Sequence, residues 1–180
     1  GQQVGLFSGP AYTIYKALTA ARLAQELTSR GIPAVPVFWL ATEDHDLPEI
    51  NHTFVFDQTH QPVTLQVDAI GEPQQPVGSI AVGAPPIDEL RAALAGLPFE
   101  PEVTDAVAQA YRPGVSFGVA FRALLRSLLA GRGPPFIDPL DASLRKTMAP
   151  LRSQAVTHPG HVHGRLRAAH RDSDPAAHHA

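Results

Sequence analysis

The chain has 180 residues, of which 44% are hydrophobic and 17% are charged, an ordinary composition for a globular protein with a buried core. Fourteen Lys and Arg against 17 Asp and Glu give a net charge of −3, which argues against a nucleic-acid-binding surface. The lack of cysteine excludes disulfides, thiolate metal sites and a cysteine nucleophile, and no apolar run reaches the roughly 18 residues that span a bilayer. We therefore expect a cytoplasmic protein without a membrane or nucleic-acid partner.

The first fifty residues show the pattern of an α/β protein. A glycine-rich loop at 1–10 precedes apolar residues at intervals of three and four over 12–30, a helical pattern that Gly31 is placed to end. The run AVPVFWL at 34–40 is short, continuous and apolar, as in a strand buried on both faces. A polar loop follows it. This order of loop, helix, strand and loop predicts a parallel sheet with helices packed on it.

The middle of the chain predicts a hairpin and three helices. Apolar and polar residues alternate at 52–56 and 62–67, which is typical of two paired strands. The proline-rich segment 71–86 is expected to be a connection with one short strand at 77–82. Apolar periodicity predicts helices at 87–95, 101–111 and 116–130.

The end of the predicted core holds one strand and one helix. The motif PFIDP at 135–139 is typical of a strand end, and Asp141 is placed to cap a helix that runs to Met148. The segment RGPPF at 132–136 has two prolines, which should weaken strand pairing.

Residues 151–180 differ in composition from the rest of the chain. They contain six of the nine histidines and four arginines, with few large apolar residues and no period. Such a segment cannot bury a core, so we predict a core at 1–150 and a disordered tail at 151–180 rich in His and Arg. The first 150 residues alone have ten basic and fifteen acidic residues. The abrupt change suggests the hypothesis of an abnormal reading-frame boundary near Pro150.

The acidic segment Glu43, Asp44, His45, Asp46 directly follows the predicted buried strand. Ligands of open parallel sheets bind beyond the carboxyl ends of the strands, so this position favours a functional site. His45 suits proton transfer or a phosphate contact. A solvated loop, with one or two acids capping the DLPEIN turn, is the alternative.

Metal binding by His45, His52 and the acids is a rival interpretation, since such ligands suit zinc, manganese or iron. The helical His-x-x-x-His pair with its glutamate is absent, and consecutive acids in a loop point in different directions. We therefore predict no metal site.

The first loop could hold an anion. Its glycines allow backbone N–H groups to approach a phosphate at the start of the first helix, although such loops are often only turns. Lys16, one of two lysines beside twelve arginines, lies in the first turns of that helix. It is placed either to meet an anionic ligand or to face solvent.

Four segments in order carry a resemblance to a known family: GQQVGLFSGPAYTIYKALTAARLAQEL, IPAVPVFWLATEDHDLPEINH, FRALLRSLL and FIDPLDASLRK. They resemble the BshC family of bacillithiol biosynthesis, the cysteine-adding enzymes. The resemblance runs from residue 1 to about 150. It is strongest over the first 52 residues, where GQQ, GP-x-YT-x-x-KA, P-V-FW and EDHD-x-x-x-INH occur at the family's spacing.

The resemblance implies an α/β, Rossmann-like core similar to nucleotidylyl transferases, with an inserted segment around 53–115. It implies a ligase that joins cysteine to glucosaminyl malate through an amide bond, and ATP as the agent that activates the carboxylate. A homodimer is implied only for the full-length protein, through a coiled coil late in the family's chains.

The resemblance also assigns site residues. Lys16 and the first loop are expected to meet anionic groups, Asp44 and Asp46 to hold an amine, and His45 to transfer a proton or contact phosphate. The implied catalytic residues are His45, Asp44 and Asp46. The implied substrate- or nucleotide-binding residues are Gln2, Gln3, Gly9, Pro10, Tyr12, Thr13, Lys16, Glu43, Asn51 and His52.

Departures from the family keep other interpretations open. The strand that the family places before GQQ is missing, which should leave an edge of the sheet unpaired, and the core is expected to be incomplete. The alternatives are a non-catalytic fragment that retains a small-molecule pocket, and a metal-dependent hydrolase.

Overall fold

A three-stranded parallel sheet forms the centre of the fold in the computed structural model, which describes residues 1–69, 71–160 and 164. Its strands are β1 (Gln2–Gln3), β2 (Phe38–Ala41) and β5 (Phe136–Ile137), with β2 in the middle. Gln3 pairs with Ala41 at the end of β2, whereas Phe136 pairs with Phe38 at its beginning. Helix α1 (Tyr12–Ser29) connects β1 to β2, so the chain has the βαβ order of a Rossmann-like fold.

The predicted hairpin is confirmed. Strands β3 (His52–Phe56) and β4 (Pro62–Gln66) pair antiparallel, with Phe54 opposite Thr64. The Asp57 carboxylate closes the turn, accepting from the backbone N–H groups of Thr59 at 2.7 Å and Gln61 at 2.9 Å. Asp57 therefore acts as a turn residue that hydrogen-bonds its own backbone.

The predicted helices are also confirmed. The three predicted for the middle of the chain are α3 (Ile87–Leu94), α4 (Glu100–Ala110) and α5 (Phe117–Leu128), which follow the hairpin. The short helix α2 (Leu47–Ile50), which was not predicted as a helix, precedes it. Ser116 caps α5 by accepting from the backbone N–H of Val119. The core is formed by buried residues of the central sheet, the hairpin and these helices, among them Phe38, Leu40, Leu65, Phe117, Phe121 and Leu124.

Two strand predictions were wrong. β2 begins at Phe38 and not at residue 34, because Pro36 has no N–H to pair and Val35 is 79% exposed. The segment Val77–Ser79 forms a 3-10 turn in place of a strand. Gly78 packs so closely on Thr42 that a Cβ at Gly78 would lie 2.3 Å from the Thr42 Cβ. This contact sets the backbone of the turn, and only Ala81 forms a bridge, to Ser116.

On one side of β2, Gln2 and Gln3 pair with Leu40 and Ala41. On the other side of β2, the strand β5 has only two residues. The two prolines that precede Phe136 account for its short length, as the sequence predicted.

The chain divides into two compact units. The first ends at Leu140, and the second begins at Asp141 and contains α6 (Ala142–Thr157). Asp141 caps this helix by accepting from the N–H groups of Ser143 at 2.8 Å and Leu144 at 3.1 Å, as predicted. The helix continues past Met148, so the absence of structure predicted from residue 151 was wrong for 151–157. Leu, Arg, Gln and Ala in this stretch favour helix, and Pro150 does not end it. Most of the remaining predicted tail lies outside the described residues.

None of the helices in the described ranges has the length and apolar character required to cross a membrane.

Candidate functional site

A strained loop carries the chain from β1 to α1. Phe7, Ser8 and Gly9 follow one another with φ values of 51°, 74° and 65°, a left-handed region that costs residues other than glycine about 1–2 kcal/mol each. Tyr111, which directly follows α4, holds this loop: its ring packs edge-on against Phe7 at 5.1 Å, and its hydroxyl donates to the Gly5 carbonyl at 3.0 Å. The strained backbone is thereby fixed in place.

Tyr111 is fully surrounded by protein. Burial raises its pKa far above the ordinary value, an effect that the backbone N–H groups of Ser8 and Phe7 partly offset. The hydroxyl is therefore a neutral hydrogen-bonding group at all physiological pH values.

Three side chains from β1 and α1 form a connected group at the start of α1. Lys16 Nζ donates to Gln2 Oε1 at 2.9 Å, and Gln2 Nε2 donates to the Tyr12 hydroxyl at 3.3 Å. Lys16 Nζ also lies 4.7 Å from the centre of the Tyr12 ring, within the range of a cation–π contact. The group places a cation beside the first loop.

The start of α1 has unused hydrogen-bonding capacity. Ala11 stands at the N-cap position, where it offers no side-chain acceptor. Thr13 is fully buried, and its Oγ1 has no hydrogen-bond partner in the described part of the chain.

Gln3 joins the end of β1 to the loop that follows β2. Its Nε2 donates to Asp44 Oδ2 at 2.6 Å and to Glu49 Oε2 at 2.6 Å. The Gln3 hydrogen bond, followed by one from the backbone N–H of His45, lowers the pKa of Asp44 below its ordinary value of 3.8. Asp44 is therefore a stable carboxylate at neutral pH.

The remaining residues of the EDHD segment are directed elsewhere. Glu43 accepts from the indole N–H of Trp39 at 3.1 Å, and the backbone N–H of His45 donates to Asp44 Oδ1 at 2.7 Å. Asp46 stands at the N-cap position of α2 but forms no side-chain cap. His45 and Asp46 are exposed.

The segment is anchored by the strands and by the turn at Val77–Ser79. The backbone N–H of Val77 donates to the Asp44 carbonyl at 2.6 Å, and that of Gly78 donates to the Thr42 carbonyl at 3.0 Å. Thr42 Oγ1 donates to Asp138 Oδ1 at 2.6 Å. Gln3 at the end of β1 and the residues after β2 and β5 are thus brought together at the carboxyl end of the sheet, the edge where such folds bind ligands.

A cavity of about 540 Å³ opens between the first loop, α2 and the hairpin. This volume falls within the range of small-molecule sites. His52 lines it, with Nδ1 3.2 Å from Asn51 Oδ1 and its ring edge-on to Phe54 at 5.5 Å. The lining residues are Gln2, Gln3, Gly5, Gly9, Pro10, Tyr12, Glu49, Ile50, His52, Thr53 and Phe54.

The cavity unites some of the residues that the sequence singled out and not others. It is lined by Gln2, Gln3, Gly9, Pro10, Tyr12 and His52, whereas Thr13, Lys16, Glu43, Asp44, His45, Asp46 and Asn51 lie outside its lining. Asp44 reaches it through Gln3, and Lys16 reaches it through Gln2.

Sequence reasoning missed three residues of this region. Glu49 lines the cavity and shares Gln3 with Asp44, and its place one turn after Asp46 was the available signal. Phe54 follows from the alternation of β3, which puts it on the same face as His52. Asp138 follows β5 just as the acidic segment follows β2.

Residues 1–178 match the profile of a protein family described as "Bacillithiol biosynthesis BshC, N-terminal Rossmann-like domain". The chain belongs to the BshC family. A relative from Solibacter usitatus (strain Ellin6076), named "Putative cysteine ligase BshC", is 48% identical over 180 residues, which cover 100% of this chain and 34% of the relative.

Proteins of other bacteria that carry the same name are also similar to this chain. The protein of Koribacter versatilis (strain Ellin345) is 38% identical over 156 residues, covering 87% of this chain and 29% of the relative. The protein of Staphylococcus aureus (strain JH9) is 34% identical over 162 residues, covering 84% of this chain and 29% of the relative. The chain therefore spans about a third of the length of these BshC relatives.

The BshC match corrects the interpretation of the C-terminal residues. The resemblance was expected to end near Pro150, and the change in composition there suggested an abnormal reading-frame boundary. The family profile extends to residue 178, and the Solibacter relative aligns over the whole chain. Residues 151–178 are therefore part of the BshC sequence, and the boundary hypothesis was wrong.

Proposed function

We propose that this chain is the substrate-binding domain of a cysteine ligase that joins cysteine to glucosaminyl malate through an amide bond. The observation that carries the proposal is the cavity at the carboxyl end of the sheet, with Glu49 in its lining and Gln3 linking Glu49 to Asp44. The names of the relatives support the reaction class.

Glu49 and Asp44 are suited to bind the amine of a substrate. Both substrates of the proposed reaction carry an amino group, which is cationic at neutral pH and is stabilised by nearby carboxylates. Because the pKa of Asp44 is lowered, Asp44 is a weak proton acceptor and a good partner for a cation. We accordingly assign binding to Asp44 and Glu49.

Lys16 and the first loop are suited to the anionic side of the reaction. The N–H groups of Thr13 and Ile14 already donate to the Pro10 and Ala11 carbonyls, so the contacts proposed for phosphate or carboxylate are the Lys16 cation and the positive end of the α1 dipole. The buried Thr13 hydroxyl has a free hydrogen-bonding position there among the described residues. These features fit the phosphates of ATP, which supplies the activation that a carboxylate needs before it can form an amide.

His45 remains our candidate for proton transfer from the attacking amine. Its side chain is exposed beside Asp44, and it does not line the cavity. This role requires the EDHD segment to approach the bound substrates.

The alternative function, a metal-dependent hydrolase, is not supported by the geometry of the described residues. Within residues 1–69 and 71–160, no three His, Asp or Glu side chains lie close enough together to hold a metal ion. The other alternative is a non-catalytic domain with the same cavity. It differs from the proposed ligase only in that it binds the substrates without forming a product.

The test is to incubate the chain with cysteine, glucosaminyl malate and ATP and to measure the amide product by mass spectrometry. Product that requires all three reactants supports the ligase. Saturable binding of the substrates without product favours the non-catalytic domain, and an absence of both binding and product contradicts the proposal.

A further inference from the structure

Two arginines of α5 line a second cavity, which shares no lining residue with the first. Its volume is about 610 Å³, within the range of small-molecule sites. Arg122 and Arg126 form one wall, and the loop at 129–136, which precedes and enters β5, supplies the rest. No acidic side chain lines it.

The charges of the two arginines are not paired with any acidic side chain of the described residues. They are four positions apart on α5 and so share a face of the helix, a spacing at which like charges repel and destabilise. Neither forms an ion pair or hydrogen bond with a described residue, whereas Arg30, just after α1, and Arg91 of α3 each pair with an acid three or four positions earlier. Arg122 is half-buried, so its charge is also partly removed from water. An anion in the cavity would relieve both costs.

A neighbouring cavity extends the same positive region. It has a volume of about 940 Å³, shares Gly131 and Gly133 with the arginine-lined cavity, and adds Arg22 and Arg132. Again no acidic side chain is in the lining. Arg22, Arg122 and Arg126 therefore flank a loop that itself carries Arg132, although the first 150 residues carry fifteen acids against ten basic residues.

Two backbone hydrogen bonds and a close approach at Gly133 fix the conformation of the loop at 129–136. The N–H groups of Arg132 and Gly133 donate to the Leu129 carbonyl at 2.8 and 3.0 Å. A Cβ at Gly133 would lie 2.8 Å from the Leu129 Cβ, so only glycine allows this approach. Glycine at 131 and 133 also leaves the cavity free of side chains from those positions.

We propose that the cavity of Arg122 and Arg126 binds a small phosphorylated anion. Guanidinium groups match phosphoryl oxygens in paired hydrogen bonds, and several of them around one cavity suit an anion with more than one negative charge. The site stands independently of the substrate cavity and of the reaction proposed there.

The probe is inorganic pyrophosphate, titrated calorimetrically into the 180-residue chain. To remove the anion contact proposed for Lys16 at the first loop, the titrations are made in the Lys16→Met background as well. The double variant Arg122→Gln with Arg126→Gln is expected to weaken binding at least about tenfold, because two charge-assisted contacts are lost. Arg112→Gln, an exposed arginine outside both cavities, is the matched control and should change affinity less than about twofold.

Thermal unfolding without pyrophosphate gives a second readout. Because the repulsion between the two guanidinium groups is lost, the unfolding midpoint of the double variant should equal or exceed that of the parent chain. The rise in midpoint on addition of pyrophosphate should be smaller in the double variant than in the parent. If the double variant fails to fold, the single variant of the exposed Arg126 is used with the same expectation. Equal weakening by Arg112→Gln, binding of citrate but not pyrophosphate, or undiminished binding in the arginine variants would overturn the proposal.

Discussion

The side-chain amide of Gln3 donates to the Asp44 carboxylate at 2.6 Å, although 41 positions separate the two residues in the chain. The same amide donates to Glu49 at 2.6 Å. One glutamine therefore connects the end of β1 with the acidic segment after β2 and with the cavity. The connection also explains why the pKa of Asp44 is lowered while its side chain stays outside the cavity lining.

Substitution Gln3→Ala should raise the pKa of Asp44 toward 3.8, because the hydrogen bond that lowers it most is lost. A pH titration followed by NMR at the Asp44 carboxyl measures this. Asp57 is an internal control: its pKa is also lowered, but mainly by Thr59, and should not change.

The same substitution has a predicted pH dependence of stability. A depressed pKa in the folded state stabilises the protein above the ordinary pKa, and this contribution is lost as the pH falls through the folded value. The difference in unfolding free energy between the parent chain and Gln3→Ala should therefore shrink below about pH 4. A difference that grows on acidification would contradict this explanation.

Substitution Tyr111→Phe should destabilise the chain by about 1–2 kcal/mol, because the carbonyl of Gly5 loses its buried donor. Urea unfolding monitored by circular dichroism measures the loss. Tyr15→Phe is the control, since Tyr15 is 68% exposed and should tolerate the change. Equal stability of Tyr111→Phe and Tyr15→Phe would show that the strained loop does not depend on this hydroxyl.

Substitution Lys16→Met should weaken ATP binding about tenfold or more, because the cation beside the first loop is removed. The chain has one other lysine, so Lys146→Met, exposed on α6, provides a matched control that should bind ATP as the parent does. Fluorescence titration with a labelled ATP analogue measures both. Identical effects of the two substitutions would remove Lys16 from the site.

Elements with strong local signals could be predicted from the sequence. α1 has apolar residues at helical spacing and a terminal glycine, and the hairpin of β3 and β4 has alternation and a turn built on Asp57. Asp141 was recognised as a cap because the capping interaction involves only the next three residues.

The features that could not be predicted from the sequence depend on contacts between residues far apart in the chain. The Val77–Ser79 turn was predicted as a strand because its packing on Thr42 is absent from any local pattern. Glu49 was not singled out from the sequence, because only the fold brings it to Gln3, which lies 46 positions away. The unpaired arginines of α5 likewise become visible only when the cavity around them is known.

The central claim is that the cavity beside Gln3 binds the amine of a ligase substrate through Glu49. Calorimetric titration of cysteine into the parent chain, Glu49→Gln and Glu102→Gln, in the presence of ATP, tests it most directly; Glu102 is an exposed acid of α4 outside the cavity. We predict saturable binding that Glu49→Gln weakens at least about tenfold and Glu102→Gln leaves unchanged. Parent-like affinity of Glu49→Gln, or no binding of cysteine by the parent chain, would contradict the claim.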